Sequence, residues 1–229
     1  MPCCGDVPAT VDKDLEEKGM RIRSLAKLIE KFDANVTATM HAFQNLMKTY
    51  EATSQSFVEF AHGTDGEAAS LAVSFEGEVR KLKIGPMLST LQQDFAGVRE
   101  ATRTVKSQQE KVMKLYNNAV ALHHSYDKHQ FVVENTEKSY AKKDRPLAES
   151  KSYGKECKER DAAFSKYEGA KKALATEVDQ LSRLIPVFIG NALPRYAACS
   201  AIVAQHIAQE LEKFRKKEGG GPANGRNGI

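Results

Sequence analysis

The sequence predicts an all-α protein, an elongated antiparallel three-helix coiled coil with proline-kinked second and third helices. Two observations predict it. Between residues 9 and 218 the only prolines are Pro86, Pro146, Pro186 and Pro194, and five of the fifteen glycines follow Lys217. Sandwiches, barrels and doubly wound sheets need turn signals every 8–15 residues or so, and these are missing. The second observation is apolar residues recurring at alternating steps of three and four, which draws one helical face into a sustained seam. The chain has 229 residues, 41% of them hydrophobic and 28% charged, enough to bury a core. It holds no run of about 18 uncharged apolar residues to mark a bilayer span.

Residues 1–11, with Gly5, Pro2 and Pro8, read as a flexible N-terminal tail. A single three-helix domain is expected over 12–217, and 218–229 reads as a disordered Gly-rich tail. The first seam runs Ile22, Leu25, Ile29, Phe32, Val36, Thr39, Phe43, Leu46, Tyr50, Thr53, Phe57, Phe60. It stops at His62-Gly63-Thr64-Asp65-Gly66, where glycines end helices.

A second seam follows through Ile84, Leu88, Leu91, Phe95, Val98, Thr102, Val105, Gln109, Val112, Tyr116, Ala119, His123 and Tyr126. Pro86 interrupts it and should bend the helix, because proline removes a backbone donor and crowds the preceding turn. The helix is expected to reach about Lys143, before the turn Asp144-Arg145-Pro146. A third seam uses Phe164, Tyr167, Leu174, Val178, Leu181, Ile185 and Phe188, with bends expected at Pro186 and Pro194, then Cys199, Ile202, Val203, Ile207 and Leu211. Helices of roughly 50, 75 and 70 residues, at about 1.5 Å per residue, approach 100 Å in the longest case. Short turns force them antiparallel. So thin a bundle leaves much of a wide apolar stripe uncovered, which predicts a homodimer.

The net charge of +4 is concentrated. Lys138, Lys142, Lys143, Arg145, Lys151, Lys155, Lys158 and Arg160 share a window with only Asp144, Glu149, Glu156 and Glu159, so the rest of the chain sums to zero. Lys138, Lys142 and Arg145 fall at i, i+4, i+7, and so do Lys151, Lys155 and Lys158. Folding at Pro146 brings the two stripes to one tip, with Glu149, Glu156 and Glu159 expected in a different sector. The bland reading is a solvated coiled-coil surface laced with ion pairs. The sharper one is a tip for anionic lipid headgroups, phosphatidylserine or phosphoinositides, each cation adding on the order of 1 kcal/mol near a charged leaflet. Nucleic acid is disfavoured, since only Tyr140 and Tyr153 could stack bases and no groove-reading motif occurs.

Nothing in the chain points to an enzyme, a metal or a cofactor. His123, His124 and His129 lack the i, i+4 spacing of paired helical ligands, and no nucleotide loop or nucleophile elbow occurs. A continuous coiled coil offers no evident concave pocket. Four cysteines without metal spacing suit a reduced, cytoplasmic chain. Cys3 and Cys4 form a pair that can be S-acylated, while Pro2 excludes N-myristoylation.

Four short stretches, in order, carry a likeness: Ile84-Gly85-Pro86-Met87-Leu88, Ser125-Tyr126-Asp127, Ala141-Lys142-Lys143-Asp144 and Leu184-Ile185-Pro186-Val187-Phe188. Together they resemble the BAR domain family of amphiphysins and endophilins, over about residues 12–217. The chain differs from the family at Ala192, where an arginine is expected, and at Ala119–His124, where a basic run is expected. Asp12, Asp14, Glu16, Glu17 and Lys18 make the start too polar for an amphipathic insertion helix. The resemblance implies a crescent-shaped homodimer, peripheral on cytoplasmic membranes, that senses or generates curvature in endocytosis or vesicle trafficking. It implies headgroup binding by the tip residues already named, with Lys111 and Lys114 as weaker candidates on the concave face. Small GTPases or endocytic proteins would be further partners. The alternative is a coiled-coil scaffold or small-GTPase-binding adaptor that does not touch lipid.

Overall fold

The computed structural model describes residues 7, 9–64, 66–84 and 86–215. Every regular element among them is helical. Helix α1 spans Lys13–Phe60, α2 Glu67–Ile84, α3 Pro86–Lys142 and α4 Tyr153–Arg215, with a short 3-10 turn at Leu147–Glu149 before α4. The expected second helix is therefore two. Pro86 opens α3, where its missing N–H would have had no helical partner in any case. Pro186 and Pro194 lie inside α4, which runs through both. Cys3, Cys4 and the 218–229 tail lie outside the described residues.

The chain divides into two compact units, each with its own core. The first takes α1 up to Glu30 together with Arg103–Phe188. Its core joins Leu15 and Ile22 of α1, Val105, Val112 and Ala119 of α3, and Tyr167, Leu174 and Leu181 of α4. The second takes Lys31–Thr102 and α4 from Ile189. Val36 and Met47, Leu82, Leu91, Phe95 and Val98, and Cys199, Val203 and Ile207 pack together there.

The second predicted seam is buried from Leu91 through Phe95, Val98, Thr102, Val105 and Gln109 to Val112. The first departs from prediction at its end. Met47 and Ser54 are buried where Leu46 and Thr53 were expected, and Leu46, Phe57 and Phe60 are exposed. The reason is geometric: a straight helix repeats every 3.6 residues, so a strict 3.5-residue pattern drifts about 20° per heptad off the buried face. A similar one-residue offset buries Ala163 and exposes Phe164 in α4.

The α1–α2 turn needs its glycines, since Gly63 and Gly66 have φ of 83° and 104°. The α3–α4 turn solves the same problem with an aspartate. Asp144 sits at φ 51°, its N–H donates to the Ala141 carbonyl, and the Arg145 N–H donates to the Tyr140 carbonyl. That pair of bonds closes the helix end as a Schellman motif with Asp144 in the position usually held by glycine.

Candidate functional site

The tip of the first unit is held by contacts across the hairpin. The Tyr153 hydroxyl donates to Glu137 at 2.7 Å, and Thr136 donates to Glu156 at 2.8 Å. The hydrogen bond to Glu137, with further contributions that include Cys157 and burial, pushes the Tyr153 phenol up to about 12. The Ser150 hydroxyl accepts the Tyr153 N–H and the Ser152 carbonyl accepts the N–H groups of Lys155 and Glu156, so α4 starts from a satisfied end.

On this frame the eight basic residues fall into two groups. Arg145 donates through Nε and Nη2 to Glu149 at 2.9 and 2.8 Å, and its guanidinium lies 5.6 Å from the Tyr140 ring centre. Lys138 pairs with Glu134 at 3.5 Å and Lys155 with Glu159 at 3.7 Å. Arg160, half-buried, donates twice to Asp161, which raises its pKa. The acids thus do not keep to a separate sector: helical i, i+4 spacing brings Glu159 onto the stripe of Lys155, and the turn between α3 and α4 brings Glu149 against Arg145. Lys142, Lys143, Lys151 and Lys158 are exposed, and none has an ion pair among the described residues. Of the two weaker candidates, Lys111 pairs with Glu177 at 2.7 Å, while Lys114 is exposed and unpaired among the described residues.

Exposed pairs of the Arg145–Glu149 kind contribute little to stability and open readily. The four free ammonium groups are a different resource. They are point charges on long stems, strongly hydrated, without a fixed acceptor geometry. Such a set attracts polyanions.

A second polar cluster in the same unit went unread in the sequence. The Thr10 N–H and hydroxyl donate to the two carboxylate oxygens of Asp127 at 3.1 and 2.6 Å. His123 Nε2 lies 2.9 Å from the Thr10 hydroxyl, and its ring stacks on Tyr167 at 4.7 Å. The Tyr167 hydroxyl and Lys171 Nζ both donate to Asp12, whose other oxygen caps α1 by accepting the Leu15 N–H. Burial by itself would raise the Asp12 carboxyl, but the bonds from Lys171, Tyr167 and Leu15 outweigh it and hold the group well below the usual carboxylate range. Burial and the bond to Asp12 push the Tyr167 phenol up. His123, placed in the second predicted seam, is thus part of an attachment between the N-terminal segment, α3 and α4.

The second unit also has a concave feature that the sequence did not suggest. An open groove of about 940 Å³ is lined by Phe57, Phe60, Leu71, Phe75 and Phe214, with Glu67 also in its lining. Phe75 meets Phe57 and Phe214 edge-on at 5.9 and 5.0 Å, while Phe60 is 84% exposed. On α4 of this unit, Ile189, Leu193 and Ile202 are exposed. The same helix is long and apolar enough to cross a membrane by length and composition, with a window of mean hydropathy 1.3. Cys199, Val203 and Ile207 of the same helix enter the core. No protein-family model matches this chain, and no curated protein matches it.

Proposed function

We propose that this protein is a BAR-like membrane module that binds anionic lipid headgroups through the α3–α4 tip and acts as a homodimer on curved surfaces. The observation that carries the reading is the set of four exposed lysines, Lys142, Lys143, Lys151 and Lys158, at one helical hairpin end, none with an ion pair among the described residues. With each cation adding on the order of 1 kcal/mol at an anionic leaflet, one tip binds weakly and two joined in a dimer reach micromolar strength. The paired residues Lys138, Arg145, Lys155 and Arg160 add to the field and can exchange their carboxylates for phosphate.

Pairing of two chains is supported by apolar surface in the second unit, where the Phe57–Phe60 groove stands open and the side chains of Ile189, Leu193 and Ile202 are exposed. An open apolar groove of this kind marks an interaction site. In this reading the three long helical paths form an antiparallel coiled coil, and the dimer is a crescent whose basic side faces the cytoplasmic leaflet. Curvature sensing follows from rigidity, since binding is strongest where the bilayer already fits the arc.

Sedimentation with vesicles of phosphatidylcholine alone, or with added phosphatidylserine or phosphoinositide, tests the reading across a salt series. Binding that requires the acidic lipid and fades from 50 to 300 mM salt or so supports it, because exposed charges are screened beyond roughly a Debye length. Binding indifferent to lipid and salt favours the scaffold or small-GTPase adaptor instead.

A further inference from the structure

We propose that Thr10 is a phosphorylation site, and that a phosphoryl group on its hydroxyl unlocks the strap formed by residues 9–12 from α3 and α4. The lock depends on one proton. The Thr10 hydroxyl gives its hydrogen to Asp127 at 2.6 Å, so His123 Nε2, 2.9 Å from the same oxygen, must be the donor in that contact. Asp127 is 3% exposed. Its partners among the described residues are the Thr10 amide, the Thr10 hydroxyl and the His123 ring at 3.9 Å. A buried carboxylate with so few donors is sensitive to the loss of any of them.

The modification is a phosphoryl transfer from ATP by an acid-directed serine/threonine kinase. Thr10 Oγ1 attacks the γ-phosphorus, an O–P bond forms as the β–γ bridging P–O bond breaks, ADP leaves, and the hydroxyl proton passes to the kinase's base. The ester oxygen of the product has no hydrogen to give Asp127, and the phosphoryl group places a charge of about −1.5 to −2 against it. Asp12 adds a second carboxylate two residues on, and the nearby ammonium of Lys171 is already committed to Asp12. The segment is also open to an enzyme. Thr10 is exposed and lies before the first turn of α1, beside Val11 at 66% exposure. Asp12, Asp14, Glu16 and Glu17 follow it, interspersed with Lys13 and Lys18, so the segment is net acidic and complements a basic kinase cleft.

The 229-residue chain, unmodified, treated with an acid-directed kinase, or carrying phosphothreonine at position 10, is compared by amide hydrogen exchange. Phosphorylation should speed exchange at Thr10 and Leu15 by about tenfold or more, while Thr10→Ser stays near the unmodified rate. Asp127→Asn supplies the decisive sign. It should speed exchange in the unmodified chain and slow it in the phosphorylated one, where the Asn amide donates to phosphate and the like charge is gone. Unmodified-like protection in the phosphorylated chain would overturn the proposal. So would Asp127→Asn speeding exchange in both forms, or failure of the kinase to modify Thr10.

Discussion

The ring of Tyr116 on α3 lies directly against Gly19 on α1, so that a methyl group at Gly19 would overlap it. Arg23 stacks its guanidinium 5.4 Å from the centre of the same ring. Glycine inside a helix ordinarily costs about 1 kcal/mol relative to alanine. Here the sign reverses. Gly19→Ala should destabilise by about 1–3 kcal/mol, the usual range for overpacking, seen as a lower urea midpoint at unchanged slope. Adding Tyr116→Leu should recover part of the loss. A raised midpoint for Gly19→Ala alone would contradict the contact.

At the tip, Asp144 holds a left-handed conformation at φ 51° that suits glycine better. Asp144→Gly should raise stability by up to about 1 kcal/mol. It also removes one of the acids among the tip lysines. Asp144→Asn separates the two effects, because asparagine tolerates the left-handed region and carries no charge. Both variants should bind acidic vesicles more tightly, with glycine gaining more in thermal melting.

The Asp12 carboxyl is held well below its ordinary value by Lys171, Tyr167 and the Leu15 amide. A group depressed in the folded state contributes stability above its unfolded pKa, near 3.9 for aspartate, and loses it as pH falls toward the folded value. The N-terminal attachment should therefore be intact at pH 5–7 or so and loosen progressively below about pH 4. Amide exchange at Leu15 against pH measures this. In Asp12→Asn the acid-dependent step at Leu15 should vanish.

What the sequence made legible, and what it did not, divides by range. The seam from Leu91 to Val112 could be read because each buried residue follows from its helical neighbours. The end of the first seam could not, since the choice of Met47 over Leu46 depends on how far a straight helix drifts from a heptad. The basic window was visible in composition. Its division into paired and free lysines lay in i, i+4 contacts such as Lys155–Glu159, which a helical wheel drawn by sectors hides. The Thr10–Asp127 lock joins residues 117 apart and leaves no local signature.

The division among the tip lysines makes its own prediction. Lys142→Glu with Lys143→Glu should lower affinity for acidic vesicles far more than Lys155→Glu, whose charge already faces Glu159. Circular dichroism should show unchanged helix content in both, because these side chains are exposed.

The most direct test of the central claim is vesicle sedimentation of the quadruple variant Lys142→Glu, Lys143→Glu, Lys151→Glu, Lys158→Glu beside the unaltered chain, at low salt with phosphatidylserine present. Loss of binding with the helix signal intact is the predicted result. Sedimentation equal to that of the unaltered chain would contradict the assignment of headgroup binding to this tip.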